Sequence, residues 1–567
     1  MILAQNGCLY YSVQVNSKEE CALLARSEFD RLMKEISGAQ VFSPVNHVIL
    51  GLSLEHGVTE ECLTDLGTDG FRIVVREDTI IIAGGQRGLI YGVYAFFEKF
   101  LGVRYLTSEE WHIPKRSVVA VAPCDVTEKP AFLYRHTFYH DAHNPSFAVP
   151  NRLNGDHMRS GSFNRRSAGD VIKYGVGFVH TFDKLIPDSM FEEHPEYFPM
   201  IDGERQKGMF RQRCLSNPEV LAITIDKVKE AFRADDSVRI ASVSQNDTAE
   251  EGFYCQCPAC KKVLEEEGSP SGSVIRFVNS VADAIKDEFP GRFIDTLAYR
   301  YTRKAPLKTK PRDNVIIRLC SIECCFSHTF EDCDEVLSDG RVRNQTFVED
   351  VKAWGAISKT LYIWDYIVNF LHYLTPYPNM HCLQKNMQFF AKHHVDGVFS
   401  QGCGDMEYSE LCYLRAYLAA KLLWNPDCNL EAHAKEFITL YYKGAAPMVM
   451  QYLKLIYSRL EETKTHISLY TDPNPEYLTK ELLEECYKCM DRAEILADDE
   501  KVLRRVGLIR LNVDYAYLLL YPSEVREERE KQVDEFMAKM KKFGIKSVQE
   551  GADFDFSYRR MKAIVVK

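Results

Sequence analysis

Residues 272–301, GSVIRFVNSVADAIKDEFPGRFIDTLAYRY, decide the fold class. The first half places Val274, Phe277, Val278, Val281, Ala282 and Ile285 at helical spacing. A Pro-Gly stop follows, and FIDTLAYRY then reads as a buried strand that ends in aromatic and basic residues. RIASVSQND (239–247) lies upstream and NVIIRLCSIE (314–323) downstream, so the pattern is strand, helix, strand, strand. Alternating β and α implies a parallel sheet. The rhythm extends in both directions. FLYRHTFYH (132–140), YGVGFVHTF (174–182), TLYIWDY (360–366) and DGVFSQG (396–402) read as strands. NPEVLAITIDKVKEAFR (217–233) and LQKNMQFFAKHH (383–394) read as helices between them. Seven strands fit a central (β/α)8-type TIM barrel with one strand unseen or lost, and a doubly wound open sheet is the alternative.

Outside the barrel the pattern changes twice. Residues 1–125 read as a small α/β domain, with HVILGLSL, FRIVVRED and TIIIAGG as strands and RGLIYGVYAFFEKFLG as a helix. Residues 126–425 hold the barrel. Residues 426–567 show long amphipathic runs without strands and read as an α-helical domain, its last stretch, from about 525, as one helix and a tail. The stretch GGQRGLIYG (84–92) lacks the GK[ST] ending and GxGxxG spacing of a nucleotide loop. It reads as a tight strand-to-helix turn.

With 567 residues, 46% of them apolar, and a net charge of −11, the chain can bury large cores but does not suit nucleic-acid binding, which needs a basic surface. No run of 18 apolar residues is present, so no membrane span is expected. The first residues, MILAQNGCLYYSVQVNSKEE, lack the basic and apolar regions of a signal peptide. The expectation is a cytoplasmic protein whose 18 cysteines are reduced. CQCPAC (255–260) supplies three cysteines, Cys255, Cys257 and Cys260, without a second pair at finger spacing. The reading is therefore no structural metal and no obligatory disulfide.

A barrel enzyme works at the C-terminal ends of its strands. Those ends carry His140, His180, Asn246 and Asp247, then Tyr299, Arg300 and Tyr301, then Glu323, then Trp364, Asp365 and Tyr366, and finally Gln401. Aromatic faces for stacking on pyranose rings, amides for hydroxyls and a set of carboxyls are what a sugar site needs. Plainer readings stand beside these: Asp247 as a cap or loop tie, Glu323 as an ion-pair partner, Asp365 as a backbone acceptor, the histidines as satisfied donors.

The same stretches carry a family resemblance. HPEYFPMIDGERQ, RCLSNPEV, SVSQND with CQCPAC, RLCSIECCFSH, LYIWDYIVNF with LTPYPN, GVFSQG and LRAYLAAKLLWNP occur in one order over about residues 131–445. In this the chain resembles the bacterial proteins grouped as domain of unknown function 4838, part of which is classed as glycoside hydrolase family 163, described as β-N-acetylglucosaminidases acting on N-glycans. GLIYGVYAFFEKFLGVRYL is similar to the α/β domain that precedes the barrel in hexosaminidases of family 20 and α-glucuronidases of family 67.

The resemblance implies hydrolysis of a β-linked N-acetylglucosamine or related hexoside in an oligosaccharide, without a cofactor. Glu323 is read as the acid, with a pKa raised by apolar neighbours, and Asp247 as nucleophile or as the group that orients a substrate acetamide. Asp365 is a third carboxyl, and His140, His180, Asn246, Tyr299, Arg300, Tyr301, Trp364, Tyr366 and Gln401 are read as sugar contacts. Two rivals are carried. One is an α-glucuronidase-like hydrolase with Arg135, Arg300 or Arg318 binding the sugar carboxylate. The other is an inactive carbohydrate-binding barrel without two facing carboxyls.

Overall fold

In the computed structural model, which describes residues 1–155, 171–248 and 252–566, all seven predicted barrel strands are present and parallel. They run at Tyr134–Phe138, Lys173–Gly175, Val238–Ser242, Phe293–Ala298, Val315–Cys320, Thr360–Tyr366 and Gly397–Gln401, and the first pairs with the last. The eighth position is filled by a two-residue extended segment. Asn154 and Gly155 donate to the Arg135 carbonyl on one side, and Ile172 donates to the Asn154 carbonyl on the other. That segment closes the ring, so the fold is a (β/α) barrel rather than an open sheet. It escaped the sequence reading because two residues give no periodicity.

The helices form where their capping signals stand. Asn217 caps the helix Pro218–Ala234 by accepting from the Glu219 and Val220 amides, with Pro218 at its first position. Helices Ser271–Ile285, Arg343–Ile357, Met380–Lys392 and Cys412–Trp424 complete the outer layer and bury their apolar faces on the strands.

The N-terminal domain is a seven-stranded mixed sheet against which helices Ala22–Ser37 and Gly88–Leu101 pack. Its last strand, Cys124–Glu128, pairs with Phe71–Val75, so this sheet runs past residue 125. In the GGQRGLIYG turn a Cβ on Gly88 would meet the Gly70 carbonyl oxygen at 2.0 Å, and one on Gly84 would meet Gly88 at 2.4 Å. Close backbone approach is the reason for these glycines.

The domain is fastened to the barrel by buried charge. Asp69 accepts from Arg87, Arg135 and Asn154. Burial pushes its carboxyl upward, but the two guanidinium groups outweigh that and hold it well below the usual range. Glu98 likewise joins Arg152 and Lys421.

The C-terminal region is helical throughout. Its final part holds two helices, Arg526–Phe543 and Phe554–Val565, where one helix and a tail were expected. Gly544, at φ 76°, ends the first of them. The intervening loop returns to the barrel mouth. Among the described residues no helix is long and apolar enough to cross a membrane.

Candidate functional site

A cavity of about 510 Å³ opens at the C-terminal ends of the barrel strands. Its floor is the barrel's polar plug. Arg318 and Asp295, both fully buried, pair at 2.9 Å, and the guanidinium lies 4.3 Å from the Phe178 ring centre and 5.7 Å from that of Trp364. Burial raises Asp295 to about 6, with Arg318 opposing.

Above this floor the strand pleat decides which side chains reach the cavity. Trp364 and Tyr366 share one face of Thr360–Tyr366 and both line it, as do Cys320 and Ile322 from the next strand and its continuation. Asp365 and Glu323 fall one residue out of phase. Asp365 points away from the cavity, buried, and accepts from Ser321 Oγ at 2.8 Å. Burial pushes its pKa up to about 6. Glu323 lies in a neighbouring cleft, 3.0 Å from Arg303. Two of the three carboxyls expected at the reaction centre therefore lie outside its lining.

Asp247 does reach the cavity. The chain beyond Val238–Ser242 is held by side-chain amides. Gln245 donates to the Tyr299 carbonyl at 3.1 Å, and the backbone amide of Asn246 donates to Gln212 at 2.9 Å. Asn246 is 2% exposed, and its side chain accepts from the Asp183 amide and donates to the Arg211 carbonyl. It is a loop tie rather than a sugar contact. Asp247 itself is half exposed and accepts from the Tyr299 hydroxyl at 3.1 Å. Burial first, then the Asp247 charge, push the Tyr299 phenol far up, which keeps it a donor.

His180 stands beside this pair, with Nε2 3.9 Å from Asp247. Its Nδ1 is 2.9 Å from the Gln245 carbonyl, which can only accept, so Nδ1 carries the proton and Nε2 presents a lone pair. Burial lowers its pKa, against the Asp247 charge, and favours the neutral ring. Its backbone sits at φ 52°, a strained position for a non-glycine residue.

Across the cavity Gln401 accepts from Trp364 Nε1 at 2.7 Å and donates to Glu550 at 2.8 Å. Glu550 comes from the C-terminal domain. Its loop is held by Asp405, whose two oxygens accept from the Tyr373 hydroxyl at 2.9 Å and the Gly551 amide at 3.1 Å. Tyr470, also C-terminal, completes the wall. Burial raises its phenol, and the charges of Glu550 and Asp247 act in the same direction while Arg300 opposes them. Tyr470 therefore stands within electrostatic reach of both carboxylates.

The structure thus gathers Asp247, His180, Tyr299, Trp364, Tyr366 and Gln401 around one cavity. His140 is exposed in the turn after the first strand and does not line it. Arg300 and Tyr301 line the neighbouring cleft, where Tyr301 stacks on Tyr254 at 5.2 Å. Sequence reasoning missed Asp405, Glu550, Tyr470 and Lys184. Asp405 had a signal, since it lies four residues past the strand-end Gln401. Glu550 had none.

Two four-membered sets of metal-ligand side chains lie apart from this cavity. Cys214, Cys255, Cys257 and Cys260 form one, and Cys325, His328, Cys333 and His466 the other. The fourth ligand missing from CQCPAC is supplied from 41 residues upstream.

Comparison with known proteins bears on the fold and the family. No curated protein matches the chain. Among solved structures, the family 89 glycoside hydrolase from Clostridium perfringens, in complex with 2-acetamido-1,2-dideoxynojirimycin, superposes with a TM-score of 0.50 at 11% identity. The match covers 95% of this chain and 69% of that one. A family 138 enzyme targeting pectin rhamnogalacturonan II aligns over 98% of both chains at 10% identity and a TM-score of 0.46. The family 20 exo-β-N-acetylglucosaminidase from Vibrio harveyi aligns over 76% of this chain and 73% of its own, at 10% and 0.43. The barrel architecture is thus one found in glycoside hydrolases. The family described as Domain of unknown function (DUF4838) matches residues 105–454, more than half of the chain and all of its barrel, and the protein belongs to that family.

Proposed function

We propose that the protein is a glycoside hydrolase whose reaction centre is the cavity between Asp247 and Glu550. One observation carries this reading. Asp247 and Glu550 line an aromatic-walled cavity at the strand ends, where Asp247 accepts from the Tyr299 hydroxyl and Glu550 from the Gln401 amide. Two carboxyls in such a cavity are the groups that the acid and base steps of glycoside cleavage need. Trp364, Tyr366 and Tyr470 offer ring faces for stacking, and His180 Nε2 offers an acceptor for a hydroxyl.

In this reading Asp247 donates the proton to the leaving oxygen. Glu550 acts on the opposite side as nucleophile or base, or a substrate acetamide takes that part, as in the substrate-assisted exceptions to the two-carboxylate scheme. Glu323, bound to Arg303, gives up the acid role assigned to it from the sequence. A terminal β-linked N-acetylglucosamine is the first sugar to test, on the strength of the sequence resemblance.

The rival readings fare less well. The arginines that a glucuronate would need are committed elsewhere: Arg135 to Asp69, Arg318 to Asp295, and Arg300 to the neighbouring cleft. The one lysine or arginine among the described lining residues is Lys184. An inert binding barrel does not call for several carboxylates around the cavity.

The test is hydrolysis of a glycan panel and of nitrophenyl glycosides, beginning with β-N-acetylglucosaminide, by the protein and its Asp247→Asn variant. Turnover that is lost in the variant supports the reading. Turnover unchanged by Asp247→Asn overturns the assignment, and no turnover on any glycoside overturns the activity.

A further inference from the structure

We infer that the chain binds two structural zinc ions, one on four cysteines and one on two cysteines and two histidines. The first set joins Cys214 to Cys255, Cys257 and Cys260. All four are buried, and their sulfur atoms lie within 4.8 Å of one another. Zinc–thiolate bonds of about 2.3 Å in a tetrahedron put ligand sulfurs about 3.8 Å apart, and Cys214 and Cys257 stand at 3.8 Å.

The surroundings suit thiolates. The Met200 amide points at Cys255 at 3.4 Å and Arg205 approaches it at 3.6 Å, while Ser216 Oγ is 3.2 Å from Cys260. Cys257 and Cys260 begin the helix Pro258–Glu267, whose N-terminal dipole favours negative charge. Four thiols with no ion would be an unusual way to fill such a pocket, because apolar side chains would pack there without reactive chemistry.

The second set has its own geometry. Cys325 Sγ lies 3.4 Å from His328 Nδ1 and 3.5 Å from His466 Nδ1, and Cys333 Sγ is 3.9 Å from His466 Nδ1. Zinc–sulfur and zinc–nitrogen bonds of about 2.3 and 2.0 Å predict about 3.5 Å between such neighbours. Asp334 stands 3.4 Å from the other nitrogen of His466, as a carboxylate that orients a ligand histidine does.

The places of the two sets explain what the ions would do. The first clips together the loops after Lys173–Gly175 and Val238–Ser242. Gln212, two residues from Cys214, brackets Asn246 beside Asp247. The second fastens the loop after Val315–Cys320 to the C-terminal domain, four residues before Tyr470. Both lie on the face that carries the cavity.

The test is elemental analysis of untagged full-length protein, grown with zinc and purified without chelator. Two zinc per chain are expected. Cys257→Ser should lose one equivalent and His466→Ala the other. Should a variant fail to fold, cobalt substitution of the wild-type protein replaces it, with thiolate charge-transfer bands and tetrahedral d–d spectra expected. A loss confined to Cys257→Ser, with His466→Ala unchanged, overturns the second site alone. Metal-free folded protein, its six ligand cysteines reduced or in disulfides, overturns both.

Discussion

The central cavity and the cleft beside it are of similar size, about 510 and 650 Å³, and both are lined with carboxylates. They differ in what holds those carboxylates. In the cleft, Arg300, Arg303, Lys304, Arg341 and Arg343 face Glu323, Glu349 and Asp350. Arg303 alone reaches Glu323 at 3.0 Å and Asp350 at 2.7 Å. In the cavity Asp247 accepts from the Tyr299 phenol, and Glu550 has the Gln401 amide among its partners. A guanidinium pairs a carboxylate with a full opposite charge in a fixed geometry, while a phenol or amide orients it without one. The cleft's charges tie loops together, and Asp247 faces the open cavity.

The largest expected effect tests this contrast directly. Asp247→Asn should lower kcat/KM on an unactivated glycan by about 10²–10⁴-fold, the usual worth of a positioned acid or base. Steady-state kinetics check it, with circular dichroism to show an intact fold. The same loss in Glu323→Gln would break the contrast.

Next comes Glu550→Gln, which keeps the Gln401 contact but removes the charge. A loss of about 10²-fold or more is expected if Glu550 is the second carboxylate. If the substrate's acetamide fills that role, the loss should be small for acetamido sugars and large for sugars without one.

A third effect concerns stability. Asp365 has a folded pKa of about 6 against 3.8 in the open chain. The folded state therefore holds the proton more tightly. Its contribution is fully present below pH about 4 and lost as pH rises through about 6. Asp365→Asn should flatten the stability profile between those values. It should gain about 1–3 kcal/mol relative to the wild type at pH 7 compared with pH 4, since one pKa unit is worth about 1.4 kcal/mol. Urea denaturation across that range measures it. Asp295 titrates in the same window and leaves a residual slope.

The smallest effect belongs to Glu323→Gln, with turnover within about threefold of wild type and a stability loss of about 1 kcal/mol or less for a part-exposed ion pair. Thermal melts and glycosidase assays on one preparation give both numbers.

Much of the fold was legible in the sequence. The seven strands have apolar runs and turn residues, and the helix Pro218–Ala234 announces itself with Asn217 and Pro218. A hairpin at the N-terminus was overlooked although its signal was present. Asn6 and Gly7, at φ 51° and 76°, form the turn between Ile2–Gln5 and Cys8–Asn16. Of the site, the strand-end residues were legible as a set, but their orientation was not. Trp364, Asp365 and Tyr366 are consecutive, and only the register of the strand decides that the aromatics face the cavity while the carboxyl faces away.

The sequence by itself determined the alternation of strands and helices, the net negative charge, the family and the position of Asp247 at a strand end. These depend on local periodicity and composition, which are written along the chain. Only the tertiary structure decided that Glu550 faces Gln401 across 149 residues, that Cys214 completes the CQCPAC set and that His466 joins Cys325. Each of these meetings depends on how far-separated segments pack, and no local pattern encodes a partner that lies tens of residues away or more.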